Sequence, residues 1–241
     1  MKKLFLVAAF ASLASFQAFG TTVTFGGASS GTARKTVLND GTTALATGDL
    51  VLEGIFQNSG SFTYNPAISV LANVNNMVSL GFQPFGFAPS SYNSTTGTWT
   101  TDSSTSQNTL GIANFFGTNQ VTGSIHEDTT VGGDASAFDN KQIYLVLFNG
   151  TTISGSSQMG IFTSTSWTFP TNTNGGSDVS PTYVTNTAST SPTVTAVAGT
   201  VTGATNSPGT LQLAATPEPS TLATLFGATG VLALLRRRRS E

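Results

Sequence analysis

The chain has no cysteine, and His126 is the only histidine in its 241 residues. A disulfide framework, a thiol nucleophile, an iron–sulfur cluster and a Cys-ligated zinc site are therefore excluded. One imidazole per chain cannot build a multi-His metal site either. Charge is also scarce: Asp, Glu, Lys and Arg make up 8% of residues, against about a quarter in ordinary globular domains. Hydrophobic residues nevertheless reach 38%, so disorder driven by charge repulsion fits poorly. Much of the remainder is Thr (41 residues) and Gly (26 residues), which fits short strands and turns better than long helices.

Both ends of the chain carry address signals. Met1-Lys2-Lys3 is a positive start, Leu4 to Phe16 is apolar, and Ala18-Phe19-Gly20 places small residues before a cut. This order predicts a secretory signal peptide over residues 1–20, with Thr21 first in the mature chain and passage through the secretion machinery. A buried helix or an uncleaved anchor is the alternative, although the run is shorter than the about 20 residues of a comfortable membrane span. At the other end, Pro217-Glu218-Pro219-Ser220 precedes an apolar or small-residue run from Thr221 to Leu235, followed by Arg236, Arg237, Arg238 and Arg239.

As a helix, the segment 221–235 would reach ~22 Å, short of a hydrocarbon core of about 30 Å. Local thinning of the bilayer or snorkelling of Arg236 can close that gap. Four arginines favour the cytoplasmic side, which puts the body outside the inner membrane. A permanent single-pass anchor satisfies the same physics. This three-part tail, residues 217–241, resembles the PEP-CTERM sorting signal of bacterial envelope and exopolysaccharide-associated proteins. The resemblance implies transient anchoring in the inner membrane and processing by an exosortase, with Pro217, Glu218 and Pro219 as recognition residues. It also implies release to the cell surface or extracellular matrix, with exopolysaccharide as a neighbour.

Between the two signals, residues 21–216 hold three bases, Arg34, Lys35 and Lys141, against nine acids, a formal net charge of −6. A nucleic-acid partner is disfavoured. Short apolar runs alternate with Gly, Asn, Ser and Thr clusters, which predicts a mainly β body over 21–170, a single jelly-roll-like β-sandwich. Strands are expected near 36–38, 49–57, 62–64, 97–101, 109–116, 119–125, 142–149, 158–163, 165–169 and 182–185. Ile143 to Phe148 is continuously apolar and predicts a central strand covered on both faces.

One short helix is expected over 66–80, where Ala67, Val70, Leu71, Val74, Met77 and Val78 share a face. Asn65 suits its N-cap, Pro66 its first position and Gly81 its stop, with Asn73, Asn75 and Asn76 on the wet side. A strand pair is the alternative there. The Thr- and Ser-rich stretch 171–216 reads as a stalk or weak edge strands, with strands possible at Thr193 to Val201 and Gly209 to Leu213. Segments Lys141 to Phe148 and Met159 to Pro170 look like strands of other PEP-CTERM proteins without assigned activity, which implies a shared fold only.

There is no P-loop, dinucleotide or zincin motif. His126-Glu127-Asp128 is the one acid–base cluster, and it reads as a solvated turn. A carboxylate pair for glycoside hydrolysis would need two acids within about 5–10 Å, with Glu53 and Glu127 available. Asp128, Asp134 and Asp139 depart from the EF-hand spacing for calcium. No cofactor or metal is implied, and the reading is non-enzymatic. Carbohydrate binding is the alternative, through Phe85, Phe87, Tyr92 and Trp99, with Phe82 to Pro89 as an aromatic loop. Trp167 is expected in the core.

Overall fold

Residues 143–148 have an apolar side chain at every position, and the strand that they form is the hub of the larger sheet. The computed structural model describes residues 22–25, 35–46, 48–57, 62–85, 87, 92–99, 123–126, 135–169, 194–202 and 210–216. Within them the chain is mainly β. In order, the strands are β1 (Thr22–Phe25), β2 (Lys35–Val37), β3 (Val51–Phe56), β4 (Phe82–Pro84), β5 (Tyr92–Asn93), β6 (Thr98–Trp99) and β7 (Gly123–His126). They continue with β8 (Gln142–Phe148), β9 (Gln158–Thr168), β10 (Val194–Ala198), β11 (Thr200–Thr202), β12 (Thr210–Gln212) and β13 (Ala214–Ala215). The helix α1 (Val70–Ser79) and a 3-10 turn at Ala135–Phe138 complete the elements.

The larger sheet runs β10-β9-β8-β3-β4, with β13 also on β9, and all of its pairs are antiparallel. Side chains alternate across it. Ile143, Leu145 and Leu147 of β8 join Val51 and Ile55 of β3 in one core, while Val146 and Phe148 join Leu52 in another. Both faces of β8 are thus covered, as its unbroken apolar run demands. Asn149 closes the hairpin to β9: its Oδ1 accepts from the amides of Ser157 at 2.9 Å and Gln158 at 2.8 Å.

A smaller sheet, β11-β12-β2, faces the first core through Leu211, beside Leu213 of the segment that follows it. Here β12 and β2 run parallel, pairing Leu211 with Thr36, so the pairing departs from the antiparallel order of a jelly roll. One stretch of chain serves both sheets. β10 pairs with β9, the chain turns at Gly199 with φ 92°, and β11 pairs with β12. A Cβ at Gly199 would lie 2.3 Å from the carbonyl oxygen of Gln212, so only glycine allows this approach. After β12 the chain returns as β13 beside β9, and Thr216 donates its amide and its hydroxyl to Ser157 O, each at 2.9 Å. Strands therefore occur within 194–215, in the stretch first read as stalk or weak edge.

The helix α1 covers the second core with Val70, Val74 and Met77. It starts later than the spacing suggests. Ser69 is the N-cap, accepting from Ala72 N at 3.2 Å, while Asn65 and Pro66 precede the helix. The reason is Asn73, which lies buried and not on the wet side. Its Oδ1 accepts from Asn65 N at 2.9 Å, and its Nδ2 donates to Asn65 O at 2.9 Å and Ser69 O at 3.2 Å. Those bonds fold residues 65–69 back against the helix as a turn. Gly81, at φ 86°, ends the helix as expected.

Three other expectations change. Phe62 to Tyr64 forms no strand, whereas Phe82–Pro84, expected as loop, is the edge strand β4. The two strands expected over 158–169 are one strand, Gln158–Thr168. The strands near 109–116 and 182–185, the signal peptide and the tail lie outside the described residues. No helix among the described residues is long and apolar enough to cross a membrane.

Candidate functional site

Short strands β5 and β6 form a hairpin that brings the sequence-selected aromatics together. Asn93 shapes the turn: its Oδ1 accepts from Thr95 N at 2.9 Å, and its carbonyl accepts from Gly97 N at 2.8 Å. Gly97 has φ 70°, and a Cβ there would meet Leu71 Cδ1 at 2.7 Å. The turn thus docks tightly on α1. Tyr92 and Trp99 are directly opposed across the hairpin, with ring centroids 4.5 Å apart, and Phe87 lies 6.1 Å from Trp99.

All three rings are half-buried against the second core. Tyr92 donates to Asn75 Oδ1 at 2.5 Å, and Asn75 Nδ2 donates to Ser94 O at 3.1 Å. Burial pushes the Tyr92 phenol up to about 12, so it serves as a fixed donor and not as a proton shuttle. Asn75 was missed by sequence reasoning, which placed it on the wet face. Only its position on the flank of α1 hinted at a partner. Half-exposed rings of this kind offer apolar faces to a flat ligand, and Asn and Thr polar groups surround them.

Phe85 does not belong to this group. It is fully buried on the opposite side of the larger sheet, with ring centroids 5.2 Å from Phe138 and 5.1 Å from Phe169. Its place follows from β4: Phe85 comes directly after the strand, donates its amide to Glu53 O at 2.7 Å, and points into the first core. Trp167 is buried in the same core, as expected.

The remaining chemical candidates lie partly outside the described residues. His126 ends β7, opposite Thr22 of β1, while Glu127 and Asp128 lie outside the described residues. Asp134 also lies outside them, and Asp139 is half-buried after the 3-10 turn. Among the described residues, no group of three His, Cys, Asp or Glu could hold a metal ion. Glu53 cannot act as a surface carboxylate in glycoside hydrolysis, because it is 0% exposed in the middle of β3. Burial pushes its carboxyl well above the usual carboxylate range. Pro217, Glu218, Pro219 and Arg236 to Arg239 lie outside the described residues. Comparison with family models, with curated proteins and with solved structures finds no match.

Proposed function

We propose that this chain is an exported, non-enzymatic protein of the cell envelope or extracellular matrix, sorted through its C-terminal tail. The observation that carries this reading is the tail itself: Pro217-Glu218-Pro219, the apolar run 221–235 and Arg236 to Arg239 follow one another in order. Its partners in this reading are the secretion machinery, the inner membrane and an exosortase, and its surroundings are exopolysaccharide. The bonds from Thr216 to Ser157 O support it, because they tie the described body down at the residue before the motif. The body is read as one β-sandwich, supported by the two sheets that share the core of Phe162, Leu211 and Leu213.

A second reading, carbohydrate binding by the body, is favoured by the Tyr92–Trp99 pair with Phe87 beside it. Phe85 has no part in it. The deciding experiment is intact mass of the protein from the envelope and medium of its host, beside a variant with Pro217, Glu218 and Pro219 replaced by Ala. The wild type is expected to start at Thr21 and to lack the tail beyond about Pro219, with the variant held uncut in the inner membrane. A wild-type mass that keeps Arg236 to Arg239 would overturn the processing step and leave a plain anchor.

A further inference from the structure

The most unusual side chain in the body is Glu53. It lies on β3 between Val51 and Ile55, which face the first core, and neither carboxyl oxygen has a hydrogen-bond partner among the described residues. Its neighbours across the sheet follow from register. Leu145 of β8 is directly opposite on one side, and Phe162 of β9 comes next. On the other side, the Gly54–Pro84 pairing puts Phe85 opposite Glu53. A carboxyl thus sits in a row of Phe, Leu and Phe in mid-sheet.

Among the described side chains of the first core, none carries a charge. Phe138 comes from the 3-10 turn, Leu211 from β12, and Thr36 from β2, whose hydroxyl also has no partner among the described residues. Three described charged side chains near these elements in sequence are bonded or exposed. Asp49 accepts from Ala46 N at 2.7 Å, Lys141 is exposed, and Asp139 has a partner of its own. Tyr144 packs on the opposite face, in the second core. Burial pushes the Glu53 carboxyl well above the ordinary glutamate range. An ionised carboxylate without a partner cannot remain in such a place.

The walls around Glu53 differ in strength. β8 pairs with both β3 and β9, whereas β4, three residues ending in Pro84, pairs with β3 alone among the described residues. Releasing β4 costs few ladder bonds, since Pro84 has no amide to donate. We propose that Glu53 is a pH-operated release for this edge. With the carboxyl protonated, β4 and Phe85 close over it; once the proton is lost, that edge opens and the carboxylate reaches water. The closed form holds a proton that the open form gives up in the ordinary glutamate range. Closure is therefore complete at low pH and weakens as pH rises.

The test is amide exchange of the full-length chain in mild detergent, followed by NMR from pH 4 to 9 and corrected for intrinsic rates. Above the ordinary glutamate range, protection at Phe85 is expected to fall about tenfold per pH unit relative to Glu53→Gln. The amides of β8 should keep their protection over the same range. Wild-type protection at Phe85 that matches Glu53→Gln at every pH would overturn the proposal, as would loss at Phe85 and β8 in step. If Glu53→Gln does not fold, Glu53→Met takes its place, and the contrast between Phe85 and β8 in the wild type still decides.

Discussion

Replacing Asn73 by Ala isolates what a buried amide contributes to this helix. Asn73 makes three side-chain bonds of 3.2 Å or less, two of them to the backbone of Asn65 and one to Ser69 O. Net contributions of about 1 kcal/mol per bond give a loss of about 3 kcal/mol. Asn65 is exposed, so water takes up part of its lost bonding, and a loss of about 2–3 kcal/mol is the expected outcome. The higher helix propensity of Ala returns only a few tenths. For a chain of this length each kcal/mol lowers Tm by about 2–4 °C, so a drop of roughly 5–10 °C should appear in a thermal scan followed by circular dichroism. The control is Asn76→Ala on the exposed side of α1, expected to stay within about 0.5 kcal/mol of the wild type. Equal midpoints for the two variants would refute the assignment of Asn73 as the residue that holds residues 65–69 against the helix.

Gly199→Ala adds a Cβ 2.3 Å from Gln212 O at φ 92°, which should cost about 3 kcal/mol or more in denaturant unfolding. Gly48→Ala, at φ 94° with open space around it, should cost only the backbone part, about 1–2 kcal/mol. Asp40 accepts from the Thr43 hydroxyl and from the Thr42 and Thr43 amides, which hold its carboxyl down at about 2. Its contribution to stability is complete above the ordinary aspartate range and is lost as pH falls from that range through about 2, so Asp40→Asn should flatten that part of an acid titration followed by NMR. Phe85→Ala should destabilise by about 3–5 kcal/mol with glycan-array binding, if present, otherwise unchanged, whereas Trp99→Ala should abolish such binding; the reverse pattern would reject the hairpin as the glycan site.

The parts of the fold that were legible in the sequence are those where one force dominates. The unbroken run from Ile143 to Phe148 leaves no polar edge for water, and β8 is central. Val70, Val74 and Met77 share a helical face, and all are buried. What was not legible depends on partners far along the chain. Asn73 reads as a wet-face residue until residues 65–69 come back to it. Phe82 to Pro84 reads as loop because Pro84 forbids a central strand, yet an edge accepts it. The aromatic site was half legible: Tyr92, Trp99 and Phe87 gather, while Phe85 leaves them because its amide is bound to Glu53. Glu53 itself gives no local signal, since its isolation is made by β4, β8 and the second sheet together.

The pairing of β2 with β12 has a consequence for the order in which this molecule can form. Lys35–Val37 pair with Thr210–Gln212, which lie 175 residues further along the chain. Until that partner exists, β2 has no neighbour in its sheet, the first core lacks Leu211 and Leu213, and β9 lacks both β10 and β13. Synthesis must thus deliver β12 before this core can close. Folding is expected to be a late, single event and not a progressive one, completed within a few residues of Pro217.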